Sequence, residues 1–382
     1  MSRVTNVDFS AINRCVRCGT CRSVCPVFKE VGWESAGARG RILTAKGILE
    51  GRKIDSSALQ SLSTCTTCGI CAEICPAGID PVGAVEEARG FMSNQGFALP
   101  EHSILKEKVR ATGNIFGDLG SRQGWLRNSL SQFKQQSRRG PSAGRKVDYI
   151  YFVGCLESYR YPETSAKTFN LLSRFGVGLL EDEGCCGSPL IRTGFDATGL
   201  IDHNLKQITA SGAHSVIASC AGCYATLKKY YPADFGILSI SEFLAGKISD
   251  LGLKPLDMTV TYHDPCHLGR RNKIYDPPRK VIKAICDLEE MKARRGQSRC
   301  CGGGGGVRAG HKDLSMNLAR KRLGDVPEGV DCIVTSCPLC VRNLKDAGGK
   351  VVDLIDLVDV ALKPTLDLKP LNKGECALRR SL

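Results

Sequence analysis

Residues 15–26 read CVRCGTCRSVCP, and residues 65–76 read CTTCGICAEICP. Each is a C-x2-C-x2-C-x3-C-P run, the ligand pattern of a module that holds two [4Fe–4S] clusters. Three closely spaced thiolates wrap three corners of one cubane, and the fourth crosses to its neighbour. The spacing therefore assigns Cys15, Cys18, Cys21 and Cys75 to one cubane, and Cys65, Cys68, Cys71 and Cys25 to the other. Pro26 and Pro76 turn the chain away after the last ligand. Gly19 and Gly69 let backbone N–H groups approach the sulfides. Zinc prefers pairs of C-x2-C separated by a longer loop, unlike four cysteines within residues 15–25.

Working outward, ARGRILTAKGILEGR and SSALQSLS between the two runs read as helices. The spacing between runs is long for a compact bacterial ferredoxin, which points to the helical ferredoxin type. Two adjacent cubanes form a wire, and with every iron already ligated neither is built to bind a substrate. The chain of 382 residues has room for two or three domains. Its 21 cysteines argue for metal, because the start MSRVTNVDFSAINR has no apolar signal segment and disulfide frameworks belong to small secreted domains. A reducing cytoplasm is the expected compartment. No run is long and apolar enough to span a membrane, and VVDLIDLVDVAL is interrupted by Asp353, Asp356 and Asp359. The net charge of +14 favours an anionic partner, or partly offsets the negative charge of bound clusters.

A second, longer repeat follows. Cys155, Cys185-Cys186 and CAGC at Cys220 and Cys223 are matched by Cys266, Cys300-Cys301 and CPLC at Cys337 and Cys340. KVDYIYFVG, HSVIAS, MTVTYH and DCIVTS are apolar runs of strand length, each shortly before a key cysteine and each followed by a helical pattern. Ligand sites in open parallel sheets gather at the carboxyl ends of strands, so Cys155, Cys220, Cys266 and Cys337 are expected at one end of their sheet. The glycines 302–306 are expected to let backbone lie against sulfide without a Cβ clash. Their G-x-G-x-x-G-like string is discounted as a nucleotide site, since no strand leads directly into it. Cys286, Cys332 and Cys376 read as packed or surface thiols.

This half resembles the cysteine-rich CCG domains of the heterodisulfide reductase family. The resemblance rests on C-x(29)-CC-x(33)-C-x2-C from Cys155, on C-x(33)-CC-x(35)-C-x2-C from Cys266, and on GCCG, YHDPCH, CCGGGGGVRAG and TSCPLC. The first gap is slightly shorter than the family pattern. With the ferredoxin module fused in front, the order looks like the D-type polypeptide of that archaeal, methanogenesis-linked family. It implies a non-cubane [4Fe–4S] cluster on each five-cysteine set, beside the two cubanes. The alternative for these motifs is zinc with spare thiols. It further implies one-electron reduction of a disulfide such as CoM-S-S-CoB, an anionic substrate that calls for a basic site. Arg270, Arg271 and Arg308 are the candidate anion-binding residues, with Lys292, Arg294, Arg295 and Arg299 nearby in sequence. His263 and His267 flank Cys266 and are candidate proton relays.

The expected architecture is an α+β multidomain chain. A mainly helical two-cluster ferredoxin domain spans 1–90, a basic linker 91–146, duplicated α/β CCG domains 147–257 and 258–365, and a tail 366–382. From Arg122 to Lys146 the linker carries seven Lys/Arg and no acid, reading as a solvated linker or as a docking strip. No flavin or haem motif is present, so the resemblance implies a separate electron-donor protein, a membrane cytochrome b or a soluble flavoprotein. Attachment at the membrane would then be peripheral, through that partner. No nucleic-acid partner is expected. Two rivals remain: an electron-transfer component of a flavin-dependent glycolate/lactate or glycerol-3-phosphate dehydrogenase, and a non-catalytic assembly protein. The intact CPLC favours disulfide chemistry over the first rival.

Overall fold

The computed structural model describes residues 12–126, 147–232 and 234–363. Cys376, the basic stretch 127–146 and the tail 366–382 lie outside them. Helices α1 (Ala38–Leu49), α2 (Ser56–Ser63) and α3 (Pro81–Asn94) form the scaffold of the amino-terminal module. Asp55 starts α2 by accepting the Ala58 N–H at 2.7 Å. Asp80, with Pro81 at the first helical position, starts α3. Ile48, Leu62, Val85, Ala88 and Met92 pack between them. Each fully buried aliphatic side chain of this kind contributes about 2 kcal/mol.

Residues 91–126, expected as part of a linker, are folded. Helix α3 runs to Asn94, and α4 (Pro100–Thr112) follows, with Pro100 at its start and Gly113 at φ 68° ending it. Its inward stripe is His102, Leu105, Lys106 and Val109, the i, i+3, i+4, i+7 pattern with two polar members. Those two residues hide the helix from a hydrophobicity reading. Beyond it, Asn114 is fully buried and its side chain bonds the backbone of Thr112, Phe116 and Asp118, so this loop is folded onto the body.

The carboxyl half holds two four-stranded parallel sheets. The first has the order β2-β1-β3-β4, from β1 (Tyr149–Phe152), β2 (Val177–Gly178), β3 (Ser215–Ala218) and β4 (Gly236–Ser239). The second repeats it as β6-β5-β7-β8, from β5 (Thr259–Tyr262), β6 (Asp287–Leu288), β7 (Cys332–Thr335) and β8 (Val351–Asp353). The four central strands are those read from sequence. The four outer ones were missed. β2 and β6 are two residues long, while β4 and β8 run directly into helices capped by Ser239 and Asp353.

Strand alternation divides the interior in two. Ile150, Phe152, Val216 and Ile333 face one core, and Tyr151, Val153, Ile217 and Val334 face the other. Each core draws on both repeats, so the two units are packed as one body. Both sheet faces are covered, as parallel sheets require.

The ferredoxin module is keyed into this body. Buried Arg89 donates to the carbonyls of Cys65, Arg192 and Gly305, joining three segments through one guanidinium. Here the glycine run departs from expectation. A Cβ at Gly304 would meet Thr66 O at 2.7 Å, and one at Gly305 would meet Cys65 O at 2.3 Å. Gly304 and Gly305 are needed for close approach to the backbone of the ferredoxin cysteine loop.

Candidate iron–sulfur centres and the thiol-lined cavity

The amino-terminal cysteines border two small cavities. Cys15, Cys18, Cys21 and Cys75 line the outer one, and Cys25, Cys65, Cys68 and Cys71 the inner one. Gly19 and Gly69 take the left-handed conformation, φ 80° and 76°, that lets each loop curl over its cavity. Cys18 is exposed, and the Thr20 hydroxyl at 3.3 Å draws its thiol pKa down. Inside, burial and neighbouring thiolates push Cys71 well up. Arg41, 2% exposed, lies with its Nη1 3.9 Å from Cys25 Sγ. Sequence reading missed this cation, which sits inside an amphipathic helix like any surface arginine.

All ten cysteines of the longer repeat line a single cavity of about 330 Å³. The fold explains this. Cys155, Cys220, Cys266 and Cys337 follow the carboxyl ends of β1, β3, β5 and β7. Helices start at Cys155 and immediately after Cys220 and Cys337, so CAGC and CPLC each present two thiols on one first turn. Gly154 makes the turn at φ 76°, where a Cβ would lie 3.0 Å from Cys223 Sγ. The sulfurs are close: Cys301 to Cys340 is 3.4 Å. Cys220 and Cys337 are neighbours across the two repeats, and Cys300 packs in one cluster with Cys68 of the inner ferredoxin site. Every described cysteine is free of disulfides.

The chemistry of this donor set fits iron–sulfur clusters. Neighbouring thiolates and burial push Cys300 and Cys155 well up, because so many sulfurs cannot ionise together in a dry cavity. A polycationic core would ionise them all.

Two side chains address these sulfurs directly. Arg122 Nη2 lies 3.5 Å from Cys155 Sγ and is held by Glu183 at 3.3 Å. Glu183 also accepts the Val153 and Gly154 N–H groups at 2.7 and 2.8 Å. Sequence reading left Arg122 in the linker, with no local signal to find it. In the second repeat, buried His263 accepts from Arg322 Nε at Nδ1, 3.0 Å away. The proton then sits on Nε2, which is buried without a hydrogen-bond partner, and a ring nitrogen of His263 lies with the Cys301 and Cys340 sulfurs within 4.8 Å of one another. With Nδ1 taken by Arg322 and the proton on Nε2, His263 stands beside these sulfurs as a neutral imidazole and not as a metal ligand through Nε2. It does not line the cavity, whereas His267 does, with Nε2 bonded to Thr67 O at 3.3 Å. Burial and nearby Arg192 and Arg271 hold His267 well below its usual pKa.

The arginines are placed differently from the expectation. Arg270 does not line the cavity; its guanidinium is committed to the carbonyls of Cys68, Gly296 and Ser298. Arg271 lies in an adjacent cleft, bonding Thr67 O and Glu86. Only Arg308 of the three borders the cavity, joined by Arg192 and Arg342. Arg295 and Arg299 are exposed and paired with Asp276 and Asp325, and Lys292 and Arg294 are exposed. Most of the remaining wall is apolar, and Leu105, Ile115 and Phe116 come from the segment read as linker. Cys286 and Cys332 are buried apart from it. No helix among the described residues is long and apolar enough to cross a membrane.

Comparison with known proteins finds the same two kinds of module. A 4Fe-4S dicluster domain matches residues 11–79, and a cysteine-rich CCG domain matches residues 149–228 and 260–345. The B-type polypeptide of the fumarate reductase (CoM/CoB) of Methanothermobacter marburgensis is 34% identical, over 93% of this chain and 73% of that one. The D-type polypeptide of the dihydromethanophenazine:CoB–CoM heterodisulfide reductase of Methanosarcina barkeri is 33% identical, over 94% and 96%. Its counterpart in Methanosarcina acetivorans is 39% identical, over 56% and 58%. The chain carries iron–sulfur clusters and belongs to the D-type heterodisulfide reductase family of iron–sulfur oxidoreductases.

Proposed function

We propose that this chain is the disulfide-reducing component of an electron-transfer complex, acting on a disulfide such as CoM-S-S-CoB. The observation that carries the reading is the convergence of ten thiols from two repeats on one cavity, with Cys220 meeting Cys337 across the seam. In this reading Cys155, Cys185, Cys186, Cys220 and Cys223 hold one non-cubane cluster. Cys266, Cys300, Cys301, Cys337 and Cys340 hold the other, and the eight ferredoxin cysteines hold two cubanes. Bound there, the clusters supply single electrons and iron that accepts sulfur.

The chain's own residues then have definite tasks. Exposed Cys18 marks the surface where the electron donor, a cytochrome b or a flavoprotein, docks. The Cys68–Cys300 contact carries electrons from the inner ferredoxin site to the second repeat. Leu105, Phe116, Leu156 and Leu339 keep bulk water from the sulfurs. His267, with its Nε2 proton on the Thr67 carbonyl, is the proton relay at the cavity.

A relative named for fumarate reduction with CoM/CoB favours a second reading, in which the same cavity oxidises the two thiols. The dehydrogenase and assembly readings do not account for two complete five-cysteine sets facing one space. The test is anaerobic protein examined for iron content and by EPR with and without thiol. The expectation is about sixteen irons, from four clusters of four, and a new paramagnetic signal on thiol addition. About eight irons together with zinc would leave only the wire and refute the proposal.

A further inference from the structure

The two ferredoxin sites differ in the charges set against them. Three guanidiniums converge on the inner one: Arg41, Arg89 and Arg270, each no more than 5% exposed. Arg41 borders the inner cavity, with Nη1 3.9 Å from Cys25 Sγ. It is held there by Ser61 O at 2.8 Å and Thr64 Oγ1 at 2.9 Å. Arg89 donates to Cys65 O, and Arg270 to Cys68 O, each at 2.9 Å. Arg270 comes from the second repeat, so the ring of cations closes only when the modules pack.

Among the described residues none of the three has a carboxylate partner. Their bonds go to carbonyls, to the Thr64 hydroxyl and to sulfur. Arg270 Nη2 is buried with no hydrogen-bond partner at all. Glu86, the acid that acts on Arg89 through space, is held by Arg192 at 2.7 Å and Arg271 at 3.8 Å. The outer site has no such ring. Arg17 and Arg39 line its cavity, but Arg17 is exposed and Arg39 is paired with Glu34 at 2.6 Å. Water screens the first charge, and a carboxylate offsets the second.

A cubane gains one negative charge when it accepts an electron. Buried cations without counter-ions favour that charge, because the dielectric around them is low. We propose that Arg41, Arg89 and Arg270 make the inner ferredoxin centre easier to reduce than the outer one, so that the electron settles beside Cys68 and Cys300. One electron from the donor protein reduces the outer centre and then passes inward. The outer centre is reoxidised, the inner one is reduced, and no bond forms or breaks. The arginines bias the inner centre through its ligands and carry no electron themselves. This rests on the two cubanes of the proposed function and is independent of what the thiol cavity reduces.

The experiment is a redox titration of the whole anaerobic chain followed by low-temperature EPR, with Cys18→Ser altering, and so marking, the signal of the outer centre. In wild type the equilibrium should favour the electron on the inner centre by at least about tenfold, about 59 mV for one electron. Arg41→Gln should lower the inner potential by about that amount and leave the outer one in place. Arg41→Lys, which keeps the charge, should restore most of it. Arg270→Gln repeats the test from the other module. At the surface, Glu34→Gln strips Arg39 of its partner and should favour reduction of the outer centre alone, by about twofold. A wild type in which the outer centre fills first, or both fill together, overturns the proposal, and this order decides even where an arginine variant fails to load iron. So does an iron-replete Arg41→Gln whose inner potential is unmoved. Either result leaves the thiol-handling reading standing. Fewer than two cubane signals would refute the two-cubane assignment, and this proposal with it.

Discussion

The two carboxyl-terminal repeats share strand order, helix starts and cysteine spacing, yet different neighbours touch their sulfurs. In the first, Arg122 places a permanent cation against Cys155. In the second, a neutral imidazole, His263, stands by Cys301, and Cys300 meets Cys68 of the ferredoxin module. Among the described residues, only the second repeat packs a sulfur against the ferredoxin module, and only the first has a guanidinium in hydrogen-bond contact with one of its thiols. Duplication supplied two equal cradles; the packing of the amino-terminal third brought one against the ferredoxin module and set a guanidinium beside a thiol of the other.

The largest effect should come from the sulfur packed against the ferredoxin module. Cys300→Ser is expected to lower disulfide reduction by at least about a hundredfold while dithionite still reduces the ferredoxin clusters, as followed by stopped-flow absorbance. Full activity in that variant would break the comparison at its root. On the other side, Arg122→Gln leaves buried Glu183 without its cation, which should cost about 3 kcal/mol in denaturant unfolding. It should also move the potential of the first-repeat centre downward, because a positive charge favours the reduced, more negative state. A potentiometric titration in which only the second-repeat centre moved would reverse the assignment of the two roles.

The junction itself is tested by Gly305→Ala, where the new Cβ would press on Cys65 O from a left-handed backbone. A loss of about 2 kcal/mol is expected, with slower electron arrival at the second repeat than in wild type. Unchanged stability would mean that the modules are less closely keyed than their backbone contact implies.

A smaller effect belongs to the seam. Burial raises the Glu157 carboxyl to about 7, while it accepts from Tyr151 OH at 2.6 Å. A carboxyl whose folded pKa is raised binds its proton more tightly when folded, so stability falls as pH rises from about 4.5 to about 7. Glu157→Gln should remove that loss, leaving the chain about 2 kcal/mol more stable than wild type at pH 8 and little changed at pH 4. Equal pH profiles for the two proteins would show that Glu157 is not held neutral.

Much of this was legible because cysteine spacing is a local record of geometry. Four thiols in residues 15–25 can only curl round a compact object, and the four central strands announced themselves as apolar runs before each key cysteine. Helix α4 was not legible, because His102 and Lys106 occupy half of its inward stripe. The use of Arg270 was not legible either. A basic residue near Cys266 looks like an anion ligand until the fold brings the carbonyls of Cys68 and Ser298 within its reach.

By itself the sequence determined the metal class, the two duplications and the parallel α/β character of the carboxyl half, since each follows from spacing within a few dozen residues. Tertiary structure alone decided that ten thiols face one space, that Arg122 and His263 stand by different sulfurs, and that Gly304 and Gly305 serve an interface between modules. The physical reason is range. Ligand spacing and periodicity act between near neighbours, whereas desolvation, charge placement and close backbone contact arise between segments hundreds of residues apart and exist only once the chain has packed.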